Sequence, residues 1–121
     1  MKRFAAALWA LSASMAFSAP IAEAPSALGN VLAAENGMTL YTFSKDTPGV
    51  SNCADACLEN WPPLLADEAD KPEGRYTVIE RAGEVYQWAV DGMPLYFFAG
   101  DKNPGDTLGE GVKGVWNVAR P

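Results

Sequence analysis

The side chains best suited to chemistry are Cys53 and Cys57, the only two cysteines in the chain, set C-x3-C between Asn52 and Leu58. Thiols at that spacing support three chemistries. Oxidised, they close a small loop worth about 2 kcal/mol in chain entropy. Such a bridge could staple a helical turn, because residues i and i+4 share one helix face. Reduced, a thiolate pair suits Cu(I), a soft ion that also accepts methionine sulfur, and Met38 and Met93 are the candidates to join it. A redox-active dithiol is the third reading, although the spacing is not the C-x-x-C of thioredoxin-like sites. The disulfide leads, because the chain carries the marks of export into an oxidising compartment.

Carboxylates are the other reactive groups. Asp46 and Asp101 each stand just before a Pro-Gly pair, Pro48-Gly49 and Pro104-Gly105. Proline then glycine suits the centre of a type II turn, and an aspartate ahead of it accepts backbone N–H groups as an Asx-turn. With Asp55 and Asp106 they would also offer oxygens to Ca²⁺, but neither loop has the dense acid spacing of a dedicated calcium loop. There is no histidine. That removes Ser-His-Asp and Cys-His catalysis, the usual zinc and blue-copper sites, and C-x-x-C-H haem attachment. No glycine-rich phosphate loop is present. The acids are scattered over turn-like segments, so the chain reads as a non-enzyme, and no cofactor is implied.

The elements that position these groups come from an internal repeat. Residues 36–46 align without gaps to residues 91–101, an offset of 55 that also maps Trp61 onto Trp116. Each copy reads N/D-G-M-x-L-Y-x-F-x-x-D, then a Pro-Gly turn, then tryptophan. Asn36-Gly37 and Asp91-Gly92 are strong hairpin signals, since a type I′ turn needs positive φ at both central residues. Residues 76–98 read as a three-stranded meander. The first copy gives a plainer hairpin, residues 28–33 pairing with 38–43. Alternation puts Tyr41 and Phe43 on one strand face and Tyr96 and Phe98 on its counterpart. These rings, with Asp46 and Asp101, form a motif whose role is mainly structural. Two copies are too few for a solenoid. The expected fold is therefore all-β: one small domain of two pseudo-twofold-related repeats, about residues 28–66 and 83–121. Hairpins and a meander would pack as a sandwich or partly closed barrel, with a short helical turn near the cysteine pair.

Ahead of this lies a leader. Lys2 and Arg3 precede an apolar run, residues 4–17, broken only by Ser12 and Ser14, and small residues with prolines follow. This predicts a cleaved signal peptide over residues 1–24, cut somewhere between 18 and 26, and a mature domain over 25–121. About fourteen apolar residues fall short of the roughly 20 that span a bilayer, so no transmembrane segment is expected in the mature chain. The expected location is the bacterial periplasm or the exterior. No cysteine near the end of the leader offers a lipid acceptor. Losing Lys2, Arg3 and Glu23 would move the formal charge from −6 to −7. So acidic a surface without a basic stripe argues against nucleic acid as a partner.

The motifs Leu40-Tyr41-x-Phe43-x-x-Asp46, Cys53-x-x-x-Cys57, Trp61-Pro62-Pro63-Leu64, Leu95-Tyr96-x-Phe98-x-x-Asp101 and Pro104-Gly105-Asp106 resemble those of a known bacterial family. It is the secreted-repeat, predicted-lipoprotein family with a Y-x-(F/W/Y)-x-x-D motif, of unknown function. The resemblance spans nearly the whole mature chain and implies export and repetition, but no reaction. These readings together lead to an exported, non-catalytic envelope module that binds an envelope protein, a glycan or a small ligand, with Trp61 and Trp116 as candidates for its surface. The alternative is a periplasmic copper-handling or electron-transfer accessory acting through Cys53 and Cys57.

Overall fold

The computed structural model describes residues 19–121, so most of the leader read from the sequence lies outside the described residues. Recurring Gly, Pro and Asp turns cut the chain into short elements. In order these are β1 (Ile21–Ala24), β2 (Val31–Ala34), β3 (Tyr41–Phe43), α1 (Ala56–Asn60), β4 (Leu65–Ala66), β5 (Tyr76–Arg81), β6 (Val85–Val90), β7 (Met93–Pro94), a 3-10 turn (Val112–Gly114) and β8 (Trp116–Val118). β1 pairs with β2, β3 with β8, and a third sheet runs β4-β6-β5 with β7 on β6; all pairings are antiparallel. The described chain is mostly β, its sheets do not close, and the short helix α1 carries Cys57.

The meander of residues 76–98 forms, with β5 and β6 in register from Tyr76↔Val90 to Arg81↔Val85. Asp91 and Gly92 both take positive φ, 53° and 86°, as a type I′ turn requires. The first copy differs. Among its turn residues only Gly37 has positive φ. The loop holds one more residue, closed by Gly37 N–H to Ala34 O (2.8 Å) and Ala34 N–H to Met38 O (3.0 Å). The plain hairpin expected of residues 28–33 with 38–43 is therefore only half made. β2 bonds to the segment before β3, and β3 then leaves to pair with β8, as Tyr41↔Val118 and Phe43↔Trp116.

This departure is the rule of the fold: each repeat lends backbone to the other. Leu32 N–H donates to Ala119 O (2.9 Å), Ala119 N–H to Leu40 O (2.8 Å) and Leu40 N–H to Leu32 O (2.9 Å), a closed ring of three bonds. A matching ring joins Trp88 to Leu64 (2.9 Å), Leu64 to Leu95 (3.0 Å) and Leu95 to Trp88 (2.9 Å). Each ring takes two strands from one repeat and the third from its neighbour. Tyr41 and Tyr96, equivalent positions, exchange both N–H···O bonds at 2.8 and 2.9 Å. An antiparallel pair between equivalent residues places the pseudo-twofold axis between them. Neither repeat could satisfy its backbone alone.

The repeat also begins earlier than its motif suggests. β1 pairs with β2 (Ile21↔Ala34) as β5 pairs with β6 (Tyr76↔Val90), so β1 is the counterpart of β5. The leader expected over residues 1–24 overlaps this strand. Ala22 and Ala24 give the segment the look of a leader exit, yet β1 lies against β2, whose four residues are all buried. Alternation then sorts the core. Tyr41, Tyr96 and the tryptophans Trp61 and Trp116 share one cluster, while Leu32, Leu40, Leu64, Trp88 and Leu95 fill a second.

Candidate functional site

The reason for the repeated Tyr and Asp appears only across the twofold. Tyr41 Oη donates to Asp101 Oδ2 at 2.7 Å, and Tyr96 Oη donates to Asp46 Oδ2 at 2.8 Å. Each aspartate also accepts the backbone N–H that ends the loop following it, Asn52 on Asp46 (2.6 Å) and Leu108 on Asp101 (2.9 Å). The expected local Asx-turn is corrected on this point. The motif aspartates bond six and seven residues ahead and to the other repeat's tyrosine. Asp106 makes the local turn instead, taking the N–H groups of Lys102 and Asn103 at 2.9 Å each. Those two bonds hold its carboxyl below the usual range. Both Pro-Gly turns form, with Gly49 at φ 80° and Gly105 at φ 91°.

Burial pushes all four motif groups toward their neutral forms. The Asp46 and Asp101 carboxyls are raised chiefly by desolvation. The Tyr96 hydroxyl is pushed up to about 12 by burial, and Tyr41 moves the same way for the same reason, reinforced by Asp101. The two sites are not identical. Around Tyr96, Ser51 Oγ lies 2.5 Å from the phenol oxygen. Arg81 donates to Ser51 Oγ, to Gln87 Oε1 (2.9 Å) and to Cys53 O (2.6 Å). Around Tyr41 that space is closed by backbone: Gly109 N–H donates to Tyr41 Oη at 3.1 Å. A Cβ at Gly109 would sit 2.8 Å from the Trp61 ring and 2.9 Å from Tyr41. Ser51–Tyr96–Asp46 has the outline of a nucleophile relay, but a phenol raised to about 12 is tuned away from taking a proton near neutral pH.

Beside these pairs runs a four-ring stack. Phe43 lies on Trp116 (4.2 Å between centroids), Trp116 on Trp61 (3.8 Å, 3° between planes) and Trp61 on Phe98 (4.4 Å). Each phenylalanine covers the other repeat's tryptophan, and the tryptophans meet on the twofold. Tyr41 and Tyr96 strike the stack edge-on. Trp61 and Trp116 are only 5% and 3% exposed. They are core, and only their rims reach solvent.

Those rims floor a groove of about 530 Å³. Phe43 and Phe98 line it along the stack, α1 contributes Cys57 and Asn60, and the segment around the 3-10 turn contributes Val112 and Val115. Lys45, just after β3, and Lys113, within the turn, flank it. Lys113 holds φ 54°, a left-handed conformation that costs a side-chain-bearing residue about 1–2 kcal/mol.

Cys53 and Cys57 are joined as a disulfide beside α1. The thiolate pair needed for copper would exist only after reduction. Met38 follows the first hairpin turn and Met93 lies in β7 opposite Val90; neither lines the groove that Cys57 touches. Among the described residues no group of three or more His, Cys, Asp or Glu is placed to hold a metal ion. Sequence reasoning did not find Ser51, Arg81, Gln87, Gly109, Lys45 or Lys113. Only the glycine-flanked Gly111-Val112-Lys113-Gly114 carried a local signal, a lysine in a turn rich in positive φ.

Residues 24–65 and 77–120 each match one family model, described as a secreted repeat of unknown function. No curated protein and no solved structure matches the chain. The two matched segments are the two repeats that exchange tyrosines, aspartates and rings.

Proposed function

Because the chain belongs to the Lipoprotein_15 family, secreted repeats of unknown function, we propose that it is an exported, non-catalytic binding module whose ligand site is the groove over the ring stack. The observation that carries this reading is the groove itself. It is large enough for a small ligand, with an apolar floor that the rigid stack holds in place. The buried tyrosines and aspartates build the platform and do not face the ligand. Export would follow from a leader cut after Ser18, a cut within the expected window that spares β1; a cut after Ala24 or Ser26 would remove a strand that β2 pairs along its whole length.

One measurement tests both parts: the native, non-reduced mass of protein recovered from its own envelope fraction. The expected species starts at Ala19, weighs about 2 Da less than the dithiol because of the disulfide, and retains a small molecule. A Val112→Phe variant, which fills the groove, should come out empty. A mature chain that starts at Pro25 or later would sink the leader assignment. Protein that never carries a ligand, in either form, would sink the binding module.

A further inference from the structure

Resting on that reading of the groove, we infer that its ligand is a small aromatic anion: a flat apolar body on the rims of the ring stack, with a carboxylate or similar acid between Lys45 and Lys113. The chain is acidic, with a formal charge of −6, yet both ionisable side chains flanking this groove are cations and no Asp or Glu lines it. Among the described residues neither lysine has an acidic partner. Among the described residues the one ion pair is Arg75 with Asp91, and Lys113 and Lys45 donate no side-chain hydrogen bond to the protein.

The pseudo-symmetry sharpens the argument. Offset by 55 residues, Lys45 corresponds to Gly100 and Lys113 to Leu58. Neither cation is part of the duplicated framework; each repeat adds one at a position where its counterpart is uncharged, and both border the same groove. Lys113 is also held at φ 54° between Gly111 and Gly114, where glycine would be unstrained. A strained, charged residue whose side chain makes no hydrogen bond or ion pair among the described residues fits a contact made to something else. The floor supplies the other half of the recognition. Aromatic rims and valines favour a flat hydrocarbon surface, and beside the two lysines only Asn60 adds a side-chain hydrogen-bonding group to the lining.

The test compares 2-naphthoate with its neutral isostere 2-naphthamide, by calorimetry and by amide chemical shifts of the full mature domain. Exposed ion pairs contribute about 0.2–1 kcal/mol each, so two lysines should favour the acid by roughly two- to thirtyfold, less at high salt. The Lys45→Gln, Lys113→Gln double variant should bind both compounds alike. Lys113→Gly is the folding control: relieved of its positive φ, it should melt higher than the parent while losing part of the preference. Equal binding of acid and amide by the parent would overturn the anion assignment and leave the groove as a general apolar site. Preference for the acid that survives in the double variant would place the anion elsewhere and overturn it too. No shift of any groove residue by either compound would sink both the assignment and the binding module it rests on.

Discussion

The loops that follow the two motif aspartates, residues 47–60 and 102–115, begin alike and end differently. Both make a Pro-Gly turn and both return a backbone N–H to their aspartate. Beyond that point the first loop acquires a disulfide and the helix α1. The second has no cysteine; it passes Gly109 against the rings and ends in a 3-10 turn that exposes Lys113. What the copies share is buried on the twofold: the Tyr–Asp bonds, the Phe–Trp contacts and the two rings of backbone bonds. Of what they do not share, Cys57, Lys45 and Lys113 border the groove. Duplication has preserved the parts that each repeat needs from the other and released the parts that face outward.

Four experiments would break or sharpen that comparison. The largest effect is expected from Trp61→Ala and Trp116→Ala. Each removes one central ring of the stack and should cost roughly 3–5 kcal/mol in urea unfolding. If the twofold is energetically real, the two losses agree within about 1 kcal/mol; a much milder loss at one tryptophan would break the symmetry.

Alkali tests the phenol pair. The folded Tyr96 is raised from its ordinary 10 to about 12, and Tyr41 is raised as well. An unfolded tyrosine loses its proton first, so the stabilisation is complete below pH 10 and is lost as pH rises from 10 through about 12. The urea midpoint should fall over that window, and less so in a Tyr96→Phe variant; a flat profile counts against burial of these phenols. The carboxyls act in the opposite sense from a salt-bridged acid. Asp46 and Asp101 are raised, so their share of stability is present below their unfolded pKa and declines as pH rises through the folded one.

Next is the one staple the copies do not share. A Cys53→Ala, Cys57→Ala variant should lose about 2 kcal/mol and still show the Tyr41–Asp101 bond in proton NMR, because the second repeat keeps the same architecture without cysteines. The smallest effect is a difference between two conservative changes. Tyr41→Phe strands Asp101 and the Gly109 N–H in a closed space, at about 1–3 kcal/mol. Tyr96→Phe should be milder by about 1 kcal/mol, since the Ser51 hydroxyl stands beside it and Arg81 is close by. Equal losses would mean that the polar surroundings of Tyr96 do nothing for Asp46.

Much of the fold was legible because it is local or repeated. Asp91-Gly92 announced its turn through the φ values that only certain residues accept, and Pro48-Gly49 and Pro104-Gly105 did the same. The meander of residues 76–98 followed from alternation, and the 55-residue offset revealed the pseudo-twofold before any coordinate. The first hairpin misled because one extra residue, Glu35, changes the loop, and because β3, like its counterpart in the second copy, pairs across the twofold. Residues 21–24 fall inside the expected leader yet form β1, because a short strand with two alanines and the exit of a leader share a composition. The groove was invisible, as no pattern along the chain says that Lys45 and Lys113 border the same space.

By itself, then, the sequence determined the residues of the motif, their repetition, the β character and the pairing of two nearby cysteines, all of which depend on short-range sterics or on comparing the chain with itself. Only the tertiary structure decided that Tyr41 answers to Asp101 and Tyr96 to Asp46, and that Phe43 covers Trp116 while Phe98 covers Trp61. Within either repeat the two partners are the same residue types at the same spacing. Whether they bond inside a repeat or across the twofold depends on which arrangement closes both rings of backbone bonds at once. That condition involves residues 32, 40, 64, 88, 95 and 119 together, and a chain meets it only by folding.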